Sequence, residues 1–191
     1  MRTRLNDFAF RGLLAAHAIE DLRAAGLLRT PAVTADERRE QDLFAPLSDT
    51  IREGSLQMQR YYRILYAYEN FVREFISSRF EELDGADWFD RRATTAMKRK
   101  VEERRQAEIK NQWHIGRNEH PLFFLDFGDL GLLIINHWDC FKDFFPSQSW
   151  VTSRLQDAER TRNVIAHTNL LAAEEGHRIE MYLRDWIKQI G

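Results

Sequence analysis

The sequence predicts an all-α, up-and-down helical bundle preceded by an N-terminal helical extension, and three observations predict it. Only 9 Gly and 4 Pro punctuate 191 residues, so the stretches between breakers are long. Apolar residues recur through those stretches every three or four positions, the helical period, and no sustained two-residue alternation marks a strand. Hydrophobic residues make up 43% of the chain, enough at this length to bury a core in one soluble domain with an appendage.

Asn6 is placed to cap a first helix running to about Leu22 and ending near Gly26. A linker from Leu28 to Asp36 then precedes a short helix or loop to Pro46, so residues 1–47 read as the extension and 48–191 as the main domain. Ser48 opens a long helix to about Leu83, with Tyr61, Leu65, Tyr68, Val72, Phe75 and Ile76 as its core stripe. Glu81 to Asp90 is acidic, holds Gly85 and reads as a turn. Asn118 to Pro121 breaks the chain again, and Asp126 caps a helix from Phe127 towards Phe144 that leaves almost no polar face and belongs at the bundle centre. Pro146 ends it. Ser147 or Ser149 caps the next helix, through about Ala166, and a last helix from about Ala172 presents Ile179, Tyr182, Leu183, Trp186 and Ile190 on one side.

A net charge of −2 supplies no global field for coating nucleic acid or anionic membrane. The single Cys140 excludes an intrachain disulfide and a cysteine-based zinc ribbon. No signal-peptide pattern appears at the N-terminus, and no charge-free apolar stretch reaches the ~18 residues of a spanning helix. The expectation is a cytoplasmic protein with no membrane attachment. The histidines at 114, 120, 137 and 177 lack a third ligand at a familiar spacing, and phosphate-cradling glycine loops are absent, so no metal and no cofactor are expected. Phe123, Phe124, Phe127 and Trp138 read as core rather than base-stacking platforms.

One local charge excess stands out: Arg91 to Lys110 carries eight Lys/Arg against three Glu. It reads either as a solvated helix laced with i,i+4 pairs or as a phosphate-facing surface centred on Lys98, Arg99 and Lys100.

The chemistry concentrates in Arg160-Thr-Arg-Asn-Val-Ile-Ala-His167. Val151, Leu155, Ala158 and Ile165 trace an apolar seam, and Arg162 falls where the seam is due a core residue. A guanidinium there must be paired or face a polar cavity or an interface, since it does not escape burial by losing its proton. Pairing with Glu159, three residues earlier, is the structural alternative. His167 lies five residues on, an offset of about 140° on a regular helix, so it meets Arg162 only by a turn at the helix end or through a second copy of the helix. Asn163 and His167, four apart, share a face. Imidazole moves protons near neutral pH and guanidinium forks onto phosphate oxygens, so the pair suits phosphodiester chemistry.

Arg162-Asn163-Val-Ile-Ala-His167 at the end of a helix, in an all-helical chain, resembles the Arg-polar-x3-His signature of the HEPN superfamily. Tyr62-Arg-Ile-Leu-Tyr-Ala-Tyr-Glu-Asn-Phe-Val-Arg73 and His120-Pro-Leu-Phe-Phe-Leu-Asp-Phe-Gly-Asp-Leu130 are similar to stretches of the HEPN subgroup found beside PIN-type endonuclease domains. The resemblance spans about residues 56 to 185. It implies a helical bundle that dimerises with its motifs facing each other and cuts RNA without metal to leave a cyclic phosphate. Arg162 would neutralise the scissile phosphate, Asn163 orient it, and His167 act as general base or acid. The resemblance also implies a defence, toxin–antitoxin or RNA-surveillance setting, with RNA and an antitoxin or inhibitor protein as partners. Other HEPN modules bind RNA or proteins without cutting. The PIN domain has no counterpart here, nor do residues 1–47 match the subgroup.

Overall fold

The computed structural model describes residues 2–26, 34–110, 116 and 119–191, without the side chains of 2–10 and 13. Among these residues there are eight α-helices and no strand: α1 Arg2–Ala24, α2 Ala35–Phe44, α3 Asp49–Asp84, α4 Trp88–Arg92, α5 Thr95–Lys110, α6 Phe127–Asn136, α7 Gln148–Ala166 and α8 Ala173–Ile190. Single 3-10 turns occupy Pro121–Phe124 and Trp138–Cys140. The chain is thus the all-α bundle that its period predicts. No helix among the described residues is long and apolar enough to cross a membrane.

Two compact units are present, Met1–Ser48 and Asp49–Gly191. In the first, α1 already runs ahead of Asn6, so Asn6 lies inside the helix; its side chain is outside the described set. The chain leaves α1 at Gly26, whose φ of +70° a side chain would strain. Most of the expected linker, residues 27–33, lies outside the described residues. Thr34 then starts α2 with a capping box: its hydroxyl accepts from the Glu37 N–H at 3.2 Å, and the Glu37 carboxylate accepts from the Thr34 N–H at 2.7 Å.

In the second unit α3 is the central strut. Tyr61, Leu65, Tyr68, Val72, Ile76 and Phe80 form its buried face, against which α6, α7 and α8 pack. Phe75, placed in this stripe by spacing, sits at its edge, half-buried against Phe141, Phe144 and Phe145. Trp186 of α8 closes the core against Tyr68, Phe145 and Trp150. Ser147 caps α7 by accepting from the Trp150 N–H at 3.2 Å. Arg154 then ties α7 to Asp185 of α8 at 2.7 Å, and the Tyr182 hydroxyl donates to Asp157 at 2.9 Å.

Two elements differ from the sequence reading. The apolar run after Asp126 is not one helix to Phe144: α6 stops at Asn136, and His137 leaves helical geometry at φ −120°, ψ 39°. Its ring Nε2–H donates to the Arg92 carbonyl at 2.9 Å, and the following turns fold Phe141 onto Phe80. An apolar run reports burial, which a folded-back loop satisfies as well as a helix. The acidic stretch 81–90 is likewise more than a turn. α3 continues to Asp84, Gly85 turns the chain at φ +76°, and α4 inserts Trp88 and Phe89 into the core.

α8 packs Gly176 against Tyr61 of α3, where a Cβ would be driven into the ring. Because Tyr61 is itself buried, the ring has little room to yield. Gly176→Ala should therefore cost about 1–3 kcal/mol, as overpacking does. The check is a lowered urea midpoint at unchanged slope; an unchanged midpoint would mean that Tyr61 swings aside freely.

Candidate functional site: the cleft beside α7

Burial along α7 passes through Val151, Leu155, Ala158 and Thr161. Thr161, not Arg162, fills the seam position, so the arginine is displaced to the exposed flank. There it lines a cleft of about 250 Å³ with Asn163 and Glu159 of α7, Glu69 and Arg73 of α3, Arg104 of α5 and the α6 cap Asp126.

The floor of this cleft is a closed set of ion pairs. Arg73 reaches Glu69 at 2.5 Å and donates to the carbonyls of Leu122 and Leu125, both at 3.1 Å. Arg104 meets Asp126 at 2.8 Å and donates to the Phe124 carbonyl at 2.6 Å. Burial raises the Glu69 carboxyl above the usual carboxylate range despite Arg73 and Arg162. At Asp126 burial acts in the same direction, but Arg104, Lys100 and Arg162 outweigh it and hold the carboxyl low. Three arginines and three carboxylates therefore line the cleft, and its formal charge balances.

Arg162 stands apart within that balance. Among the described residues its one hydrogen bond is a long contact, 3.4 Å, to the neighbouring Asn163 side-chain oxygen, and it has no ion pair within 4.0 Å. The Glu159 alternative is not met, because that carboxylate is directed elsewhere. The Glu159 carboxylate is turned to the start of α6, where a Cβ on Gly128 would lie 2.6 Å from it.

His167 is the C-cap of α7 and is exposed. The helix closes around it in a Schellman pattern: the Thr168 N–H donates to Ile165 O at 2.9 Å and the Asn169 N–H to Val164 O at 3.1 Å. Thr168 occupies the left-handed position at φ +57°, where glycine is usual and a β-branched residue is strained. The turn does not swing His167 back to Arg162. Arg162 and Asn163 share the cleft, whereas His167 is not among its lining residues. Within one chain the triplet is thus divided.

The basic segment divides as well. Lys100, half-buried, reaches Asp129 at 2.5 Å, and the exposed Lys98 donates to the Asp90 carbonyl at 2.5 Å. Arg99 is exposed beside Glu103 at 3.5 Å. Two of the eight cations of 91–110, Lys100 and Arg104, thereby fasten α5 to the acidic start of α6, where carboxylates also meet the helix dipole. Among the histidines, His137 and His120 are taken up locally, His120 by accepting from the Leu122 N–H at 3.3 Å. His114 lies outside the described residues and His177 is exposed. Among the described residues no three His, Cys, Asp or Glu side chains cluster to hold a metal ion.

Glu69, Arg73 and Asp126 complete the cleft with no motif to mark them as site residues. A signal existed for the first two, a polar i,i+4 pair flanking the α3 stripe; Asp126 read only as a cap. Phe124 and Phe127 are core, as expected, whereas Phe123 lines the cleft. No family model, no curated protein and no solved structure matches the chain.

Proposed function

We propose that the chain is a HEPN-type endoribonuclease that cuts RNA without metal at a site shared between two copies of α7 in a homodimer. The observation that carries this reading is the end of α7: Arg162 lines a cleft without an ion pair of its own among the described residues, and His167 follows on an exposed, strained helix end. Strain of that kind persists where the surroundings over-determine it and concentrates at functional sites.

In this reading Arg162 forks onto the non-bridging oxygens of the scissile phosphate and Asn163 fixes its orientation. The second protomer's His167 takes the proton of the 2′-hydroxyl as that oxygen attacks phosphorus. The bond to the 5′-oxygen breaks, and this leaving group takes a proton from water. The upstream fragment keeps a 2′,3′-cyclic phosphate. Lys98, Arg99 and Lys100 would then steer the RNA backbone weakly, with Lys98 and Arg99 exposed. A defence, toxin–antitoxin or surveillance role with an inhibitor protein belongs to the same proposal, as does a cytoplasmic location.

One observation favours a second reading, a non-catalytic HEPN module: His167 does not line the cleft that holds Arg162. A single assay separates the two. Mixed RNAs are incubated with purified protein and a chelator, wild type beside His167→Ala. The nuclease reading expects fragments with cyclic phosphate ends from the wild type alone; equal cutting by both proteins, or by neither, overturns it.

A further inference from the structure

From Arg162 the cleft opens into a larger groove of about 820 Å³ between α3 and α7, within the range of small-ligand sites. Two of its walls are tyrosines, Tyr62 and Tyr66, one helical turn apart with ring centroids 6.3 Å apart. They are 60% and 61% exposed, an unusual outlay of aromatic surface beside a closed core. Phe123 also lines the groove, but the Arg73 guanidinium already lies over its ring at 5.2 Å. The uncovered rings are therefore the two tyrosines.

We infer that this groove is a nucleobase subsite, in which an unpaired base of the RNA stacks on Tyr66 and Tyr62 while its phosphate meets Arg162. The occupant follows from charge and shape together. Arg73, the groove's other cation, is paired with Glu69, which leaves Arg162 as its cation without an ion pair among the described residues. A flat ring carrying an anionic group complements a row of open aromatics that ends on such a cation. Base stacking on aromatic side chains is also the usual way that single-stranded nucleic acid is held. The inference rests on reading the chain as an RNA enzyme, and it adds the residues that would grip a base beside the cut.

The test is anisotropy with two fluorescein-labelled oligomers of equal length, a mixed-sequence single-stranded RNA and an abasic ribose-phosphate chain. The protein carries His167→Ala so that nothing is cut. Tyr66→Ala should weaken binding of the base-bearing RNA about tenfold or more, and Tyr66→Phe should leave it near the parent value. The abasic chain should be insensitive to Tyr66→Ala, whereas Arg162→Ala should weaken both oligomers. Equal binding of the base-bearing RNA with and without Tyr66 overturns the inference, and so does an effect of equal size on both oligomers. Loss of self-association in place of RNA binding overturns it too, since the groove would then be an interface between copies. The cleavage assay fails or succeeds separately: RNA cut without any Tyr66 effect removes the subsite and keeps the nuclease. A base-dependent Tyr66 effect without cutting does the reverse.

Discussion

His167→Ala should slow RNA cutting by about 10²–10⁴-fold, the usual worth of a positioned general acid or base. Arg162→Ala should cost about 10²–10³-fold, as loss of a preorganised charge-stabilising donor does. An equal mixture of the two inactive proteins should then cut. This follows from the division of the triplet, in which Arg162 and Asn163 line the cleft and His167 does not. One phosphate can be served by both groups only if the second copy brings its own helix end. Subunits that exchange freely give mixed dimers in half the population, and one of the two sites in each is complete. Activity should therefore return to about a quarter of wild type. Both residues are exposed and neither belongs to the core, so the unfolding midpoints should stay close to that of the parent. A mixture as inactive as its parts would show that the two residues do not act across a dimer.

Helical period made most of the fold legible and misled where burial and helix part company. The α3 stripe needed only spacing, because one face of a 36-residue helix is covered and the other is not. The run from Phe127 to Phe145 is as apolar as a buried helix, yet it breaks at His137, since hydrophobicity does not report the hydrogen bond from the His137 ring to the Arg92 carbonyl. At the candidate site the anomaly of Arg162 was legible, but its setting was not. A seam read at three- and four-residue steps cannot distinguish 161 from 162, and Thr161 takes the buried place with a smaller polar group. Nor could sequence reveal that Glu159 is drawn off to Gly128, which requires α6 and α7 to be in contact. The Schellman turn after His167 carried no glycine to announce it. Its strained threonine is visible only as a backbone angle.

Arg73→Met should destabilise the second unit by about 3–5 kcal/mol, the cost of breaking one side of a buried ion pair. Arg73 and Glu69 are 12% and 17% exposed, and burial pushes each towards its neutral form despite the other's attraction. The pair is thus a poor source of stability in itself. What Arg73 supplies is geometry: two of its donors hold the Leu122 and Leu125 carbonyls, so the turn at Pro121–Phe124 and the approach to Asp126 are fastened to α3. Methionine matches the stem and orphans both carbonyls along with the carboxylate. Glu69→Gln keeps an acceptor for Arg73 and removes a carboxyl whose pKa burial has raised. A group raised on folding stabilises below its unfolded pKa and loses that contribution as pH climbs through its folded value. Glu69→Gln should therefore cost far less than Arg73→Met at neutral pH. Urea unfolding of both variants at pH 7 measures the difference, and equal small losses would mean that water replaces Arg73 at the carbonyls. In that case Arg162 would keep its cleft without α3's help, and the large Arg73 effect would have no basis.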